Sequence, residues 1–262
     1  MNIMCLVKFV PDTEQYEYDY ETDKINREKS RMILNPDDRN ALAWALAYKK
    51  KNPETRVNVL TMGPSRQTEE LKNIIRIGAD QAILISDSLF AGSDSLTTSL
   101  VLATYLRSQA VDLILTGTHT LDGGTGHIGP QVAELLGINH FSNIRSVEEV
   151  NQDFSVVEAI QDGSSIRLKL QNPSVLSLTS QMNLRLGFVR YDSIDKNVDS
   201  QFSLVTNETL GLAKNQVGRK GSPTKVRQNV MAKRQKVAQK RVKVDDEGIT
   251  EVINYLKEKA YL

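Results

Sequence analysis

The chain has 262 residues, 40% hydrophobic and 25% charged, with 33 Lys and Arg against 32 Asp and Glu. This is the composition of a soluble globular protein, long enough to bury a core without staples. A net charge of +1 excludes a chain-wide electrostatic grip on nucleic acid, and the single cysteine, Cys5, excludes an intramolecular disulfide or a cysteine-built zinc site.

Residues 3–10 are apolar, rich in strand formers and closed by Pro11-Asp12, which predicts a buried parallel strand. The first eight residues lack a basic start and reach Lys8 too soon for a signal peptide. No apolar run approaches membrane-spanning length, so a cytoplasmic protein without membrane insertion is expected. Residues 12–33, with Tyr16, Tyr18 and Tyr20 alternating, read as a surface excursion or hairpin.

Asn35-Pro36-Asp37-Asp38 is a helix start: Asn suits the cap, Pro the first helical position, and acids the first turn. Ala41, Leu42, Ala45 and Leu46 share one face of that helix, which closes on three lysines and Asn52-Pro53. There follow a strand at 56–62, a helix at 68–77 stopped by Gly78, a strand at 81–86, a helix at 93–109, a strand at 111–116 and a helix from 129 or 130 to 136. This alternation predicts an α/β fold with a doubly wound, mostly parallel, Rossmann-like sheet. A hairpin is expected across Asp162-Gly163, and a further sheet strand at 174–179.

The α/β domain is assigned to 1–199. Residues 200–262 form a C-terminal arm, with eleven Lys or Arg and no acid between Thr209 and Val244, then an amphipathic helix carrying Ile249, Val252, Ile253 and Leu256. An arm of this kind cannot bury enough surface to fold alone, so it is expected to pack on a partner or on its own domain. It has few aromatics to stack bases, and an acidic protein surface suits it better than nucleic acid.

Gly117-Thr118-His119-Thr120-Leu121-Asp122-Gly123-Gly124-Thr125-Gly126-His127-Ile128 links the fourth βα strand to its helix. Its glycines admit a ligand close to the backbone, and the helix start offers free N–H groups to an anion. The loop is neither G-x-G-x-x-G after the first strand nor G-x-x-x-x-G-K-[ST], which excludes the dinucleotide fingerprint and the P-loop. The strand ends Val7-Lys8 and Thr61-Met62-Gly63 point to the same edge, and together they outline one nucleotide cleft. No Ser-His-Asp order, C-x-x-C pair or paired-carboxylate motif stands out.

In order and spacing, several short pieces resemble the β (small) subunit of the electron transfer flavoproteins. They are Cys5-Leu-Val-Lys-Phe-Val-Pro-Asp12, Asn35-Pro36-Asp37-Asp38 with Ala41, Leu60-Thr-Met-Gly-Pro64 and Ile77-Gly-Ala-Asp80. Leu121-Asp-Gly-Gly-Thr125 with Gly129-Pro130-Gln131 resembles the D-G-D-T-x-x-V-G-P loop of the electron-bifurcating, anaerobic branch. Gly218-Arg-Lys-Gly-Ser-Pro-Thr224 resembles that branch's G-x-x-G-S-P-T.

The resemblance implies an electron-carrier subunit rather than a self-sufficient enzyme. It would work as a heterodimer with an alpha subunit and dock a flavin dehydrogenase. It would bind FAD and relay electrons from NADH or an acyl-CoA-type dehydrogenase to the alpha-subunit flavin. The implied adenine-nucleotide contacts are Leu6, Val7, Lys8, Asn35, Pro36, Asp37, Asp38, Met62 and the whole loop from Gly117 to Ile128. Two alternatives stand beside this reading: a scaffold subunit holding structural AMP, and a stand-alone adenine-nucleotide sensor.

Departures from the family pattern are Gly124 for the second acid of D-G-D-T, His119 where glutamine is usual, and Gly126-His127 for A-Q. Residues 183–191, with Arg185 and Arg190, resemble the family's dehydrogenase-recognition loop only in part, and an acidic stretch at 192–199 replaces the basic helix expected after it. Cys5 and Trp44 are expected in packing rather than in chemistry.

Overall fold

A computed structural model describes residues 1–12, 18–19, 24–25, 31–225 and 240–262. Two compact units are present, 1–227 and 228–262. The first opens with β1 (Asn2–Leu6), β2 (Phe9–Pro11), β3 (Tyr18–Asp19), β4 (Lys24–Ile25) and β5 (Met32–Leu34). Within the expected excursion, β2 pairs with β5 and β3 with β4, both antiparallel. Tyr16 and Tyr20 lie outside the described residues.

The βα series follows: α1 (Pro36–Lys51), β6 (Arg56–Met62), α2 (Thr68–Ile77), β7 (Gln81–Ile85), α3 (Ser95–Leu106), β8 (Leu113–Gly117) and α4 (Ile128–Leu136). After it come β9 (Asn139–Val150), β10 (Phe154–Gln161), β11 (Ser164–Gln171), β12 (Ser174–Leu178) and β13 (Phe202–Val205), then the short turns α5 (Asn207–Leu210) and α6 (Gly218–Gly221). Nine strands make one sheet in the order β11-β10-β9-β12-β8-β1-β6-β7-β13. Its neighbours from β9 to β13 are all parallel, and β10 and β11 extend it antiparallel.

The central parallel strands β1, β6, β7, β8 and β12 are covered on both faces, as their continuous apolar runs demand. Ile3 and Cys5 of β1, with Val7 just after it, pack with Leu42 of α1 and Leu71 of α2. Met4 and Leu6 pack with Leu102 of α3 and Val132 of α4. From β1 the chain grows the sheet outward through β6 and β7, then returns to place β8 on the other side of β1. This reversal makes β1 and β8 the switch point, beyond whose carboxyl ends ligands bind in such sheets.

Two strands escaped the sequence reading. In β9 the apolar residues Phe141, Ile144, Val147 and Val150 fall three apart. The reason is two register shifts against β10, with Asn143 at φ 57°, which break the strand alternation. The other is β13, four residues long and parallel to β7 at the sheet edge. It places the chain after residue 199 in the first unit, which continues to 227.

The hairpin at Asp162-Gly163 has both residues at positive φ, 49° and 76°, the twist that a two-residue hairpin requires. Cys5 is fully buried, and burial pushes its thiol pKa up. Trp44 packs against the core and stacks on Tyr48 at 5.2 Å.

In the second unit, α7 (Asp246–Glu258) is capped by the Asp245 carboxylate, which accepts from the Gly248 amide at 2.9 Å. Ile249, Val252 and Ile253 on this helix are exposed. No helix among the described residues is long and apolar enough to cross a membrane.

Candidate functional site

A cleft of about 820 Å³ opens at the carboxyl ends of β1, β6, β7 and β8. Its floor is apolar, from Leu6, Leu60, Ile85 and Leu102. One wall is the glycine-rich loop after β8, and the other is the turn from Ser86 to Ser95 between β7 and α3.

The first wall is built from α1 outward. Asp38 is buried, and its two carboxylate oxygens accept from the Gly117 amide at 2.8 Å and the Lys8 amide at 2.9 Å. Burial pushes its pKa up to about 7, against the lowering pull of those amides and of the Asn35 side chain. An added Cβ on Gly117 would collide with the Asp38 carboxylate and stand 2.6 Å from Asp37 Cβ, so this approach admits only glycine.

Asp37 spans two loops. One oxygen accepts from the Ser180 amide at 2.7 Å, and the other from the His119 amide at 3.3 Å, with His119 Nδ1 at 3.2 Å. The Asn35 side chain donates to the His119 carbonyl at 2.8 Å and accepts from the Leu121 amide at 3.2 Å. The helix start therefore spends its polar groups on the backbone of the loop.

Lys8 reaches across to Asp122, with Nζ at 2.8 and 2.7 Å from its two oxygens. Although burial opposes it, the Lys8 ammonium holds the Asp122 carboxyl below its ordinary range. Gly124 and Gly126 take φ of 60° and 64°, carrying the chain through left-handed turns to α4. At that helix start the amides of Gly126, His127 and Ile128 donate to no partner among the described residues. His127 Nδ1 lies 3.4 Å from Ser95 Oγ, so the N-termini of α3 and α4 meet at the cleft.

Most residues expected from the sequence line the cleft: Leu6, Val7, Lys8, Asp38, Met62, Gly117, Thr118, His119, Thr120, Asp122, Gly123, Thr125, Gly126, His127 and Ile128. Asn35, Pro36, Asp37, Leu121 and Gly124 do not. Missing from the expectation was the second wall, with Asp87, Ser88, Gly92, Ser93, Asp94 and Ser95. The rule that ligands gather at the carboxyl ends of parallel strands applies to β7 as well as to β1, β6 and β8, and would have found it.

Asp94 caps α3, accepting from the Thr97 amide at 3.0 Å. Burial works against its charge, but that bond and those from Thr224 lower its pKa to about 2. Among the described residues no group of three His, Cys, Asp or Glu is placed to hold a metal ion.

A cleft at the switch point of a doubly wound sheet is common to many folds, and comparison with known proteins narrows it. The sequence profile of the electron transfer flavoprotein domain matches residues 22–187. The chain belongs to the electron transfer flavoprotein family. Its relatives place it among the beta subunits. The electron transfer flavoprotein subunit beta of Thermoanaerobacterium thermosaccharolyticum is 35% identical over 86% of each chain. That of Clostridium acetobutylicum is 32% identical over 100% of each. Subunit CarD of the caffeyl-CoA reductase-Etf complex of Acetobacterium woodii is 35% identical over 86% of each. Electron transfer is thus the role of this family of chains, which work with further subunits.

Proposed function

We propose that the cleft holds the ADP part of an FAD and that the chain relays electrons, with an alpha subunit, between NADH or an acyl-CoA-type dehydrogenase and the alpha-subunit flavin. The observation that carries this reading is the row of amides at Gly126, His127 and Ile128, which donate to no partner among the described residues, at the lining of a cleft whose described side-chain charges are already engaged. Asp122 is occupied by Lys8, and the carboxylates of Asp38, Asp87 and Asp94 accept backbone amides. An anionic diphosphate therefore meets backbone dipoles rather than a lysine cluster. Leu6, Leu60 and Ile85 supply an apolar floor against which adenine packs.

When bound, the flavin supplies the hydride and single-electron chemistry. The residues of this chain hold and orient it. The Asn35, Asp37 and Asp38 side chains fix the loop whose amides face the diphosphate. Thr125 adds a hydroxyl at the cleft edge. The arm after residue 227 packs on the alpha subunit through the exposed face of α7. The dehydrogenase docks on residues 183–191, where Phe188 and Tyr191 are 92% and 93% exposed. Bifurcation at this flavin follows from the likeness of the loop and of 218–224 to the anaerobic branch.

Gly124 favours a second reading. It removes an acid from the loop, and the same cleft would then hold AMP in a subunit without redox work of its own. One experiment separates the two. The chain is co-expressed with its large subunit, purified and denatured, and the released nucleotides are identified. Two FAD per heterodimer support the first reading, and bleaching of flavin absorbance by NADH makes that FAD active. One FAD with one AMP overturns it.

A further inference from the structure

The 218–224 segment is far from the cleft loop in sequence, yet it is fastened to the cleft's second wall. The Asp94 amide donates to Ser222 Oγ at 2.9 Å, and Ser222 is buried. Thr224 donates twice to the same Asp94 oxygen, from its amide at 3.0 Å and its hydroxyl at 2.7 Å. The Arg219 amide donates to the Ala91 carbonyl at 3.1 Å. Gly218 sits at φ 60° with an added Cβ in collision with the Leu89 carbonyl oxygen, so only glycine lets the segment lie this close. Ala91, Gly92, Ser93, Asp94 and Ser95 line the cleft, whereas Ser222 and Thr224 do not.

The turn that receives these bonds is otherwise held by local ones. Between Ser88 and Asp94 it is tied by the Asp87 carboxylate, by three 3₁₀-type bonds, Phe90 to Asp87, Ala91 to Ser88 and Ser93 to Phe90, and by the Ser93 hydroxyl on the Phe90 carbonyl; the Asp94 amide itself donates to Ser222. The hydroxyls of Ser222 and Thr224 therefore complete the hydrogen bonding of a wall they do not themselves expose to ligand.

We propose that Ser222 and Thr224 are positioning residues for the nucleotide cleft. Acting through Asp94, they set the 91–95 turn, so nucleotide binding and the seating of the 218–224 segment strengthen one another. This rests on the cleft being a nucleotide site. Reciprocity follows from linkage: whatever factor the seated segment adds to nucleotide affinity, bound nucleotide adds to the seating.

The test uses the full chain stripped of nucleotide, with AMP and FAD as probes. Equilibrium dialysis reads binding, and hydrogen–deuterium exchange reads the amides of Arg219, Ser222 and Thr224. Nucleotide is expected to slow exchange at these amides by roughly 5-fold or more. The S222A/T224V variant should bind nucleotide roughly 5- to 10-fold more weakly and lose that protection, with exchange in β1, β6 and β8 unchanged. T224S keeps the hydroxyl and should restore both. Should S222A/T224V fail to fold, T224V alone carries the same comparison.

Native affinity in the variant overturns the proposal, as does nucleotide binding to the native chain with exchange at 219–224 unaltered. Absence of AMP and FAD binding to the native chain overturns the cleft reading, and this proposal with it.

Discussion

The two walls of the cleft are each secured by an aspartate, and the two carboxyls titrate in opposite directions. Asp38 is sealed behind the loop and receives two backbone amides, yet burial pushes it up to about 7. Asp94 sits at a helix N-terminus, receives the Thr97 amide and two bonds from Thr224, and falls to about 2. Hydrogen-bond donors are plentiful at both sites, so they do not decide the sign. Access to water does, since desolvation acts on the whole charge while each bond offsets only part of it. The first wall is thus a buried construction, sensitive to volume, and the second a surface one, sensitive to the partners of a cap.

The largest expected effect breaks the first wall by volume. Gly117→Ala places a methyl against the Asp38 carboxylate, 2.6 Å from Asp37 Cβ and 2.9 Å from the Asp38 amide, and all three belong to a helix start that cannot retreat. Overpacking of this kind costs about 1–3 kcal/mol or more. The variant should melt several degrees lower and purify without nucleotide. Thermal unfolding and analysis of released nucleotide check both, and a native melting temperature with full nucleotide would show that the wall yields.

Next come the two aspartates, whose pH signatures should oppose each other. Asp38→Asn puts a donor where one of two backbone amides needs an acceptor, at a cost of about 1–3 kcal/mol. Between its ordinary value of 3.8 and about 7, the folded chain keeps a proton on Asp38 that the unfolded chain has released. Native stability from this group therefore falls as pH rises through that window. The cost of Asp38→Asn should be greatest near pH 4 and shrink by pH 8. Asp94→Ala removes a cap worth about 0.5–2 kcal/mol. Its pKa is lowered, so that stability is present above 3.8 and disappears as pH falls toward 2. Denaturant melts across pH 3–8 read both, and parallel slopes for the two variants would remove the contrast between the walls.

The first wall was legible because it uses residues that announce themselves: Asn-Pro-Asp-Asp at a helix start, and glycines between an apolar run and a helix. What could not be read was their division of labour. Asn35 and Asp37 could be read as parts of the site, but not as residues whose side chains bond the loop backbone. The second wall was not read from the sequence, since Asp87, Ser93 and Asp94 resemble ordinary turn residues until Thr224 is brought to Asp94 across 130 positions. Central strands showed as apolar runs. The edge strand β13 and the bulged β9 did not, because a four-residue edge needs few apolar side chains and bulges erase alternation.

The smallest expected effect on stability bears most on function. Gly124 stands at φ 60° with only the Thr120 carbonyl, at 3.9 Å, near an added Cβ, so space does not oppose a side chain. Aspartate tolerates the left-handed region better than most residues, and Gly124→Asp should cost about 1 kcal/mol or less. A loss of that size lowers the melting temperature by about 2–4 °C in a chain of this length. Gly124 is outside the cleft lining, so the new carboxylate would act on the loop rather than on the nucleotide directly. If the acid of the related D-G-D-T loops secures FAD by shaping the loop, Gly124→Asp should raise the FAD content of the purified complex and leave its AMP content no higher. An unchanged nucleotide ratio would show that Lys8, Asp37 and Asp38 already fix the loop, and that the missing acid does not choose the cofactor.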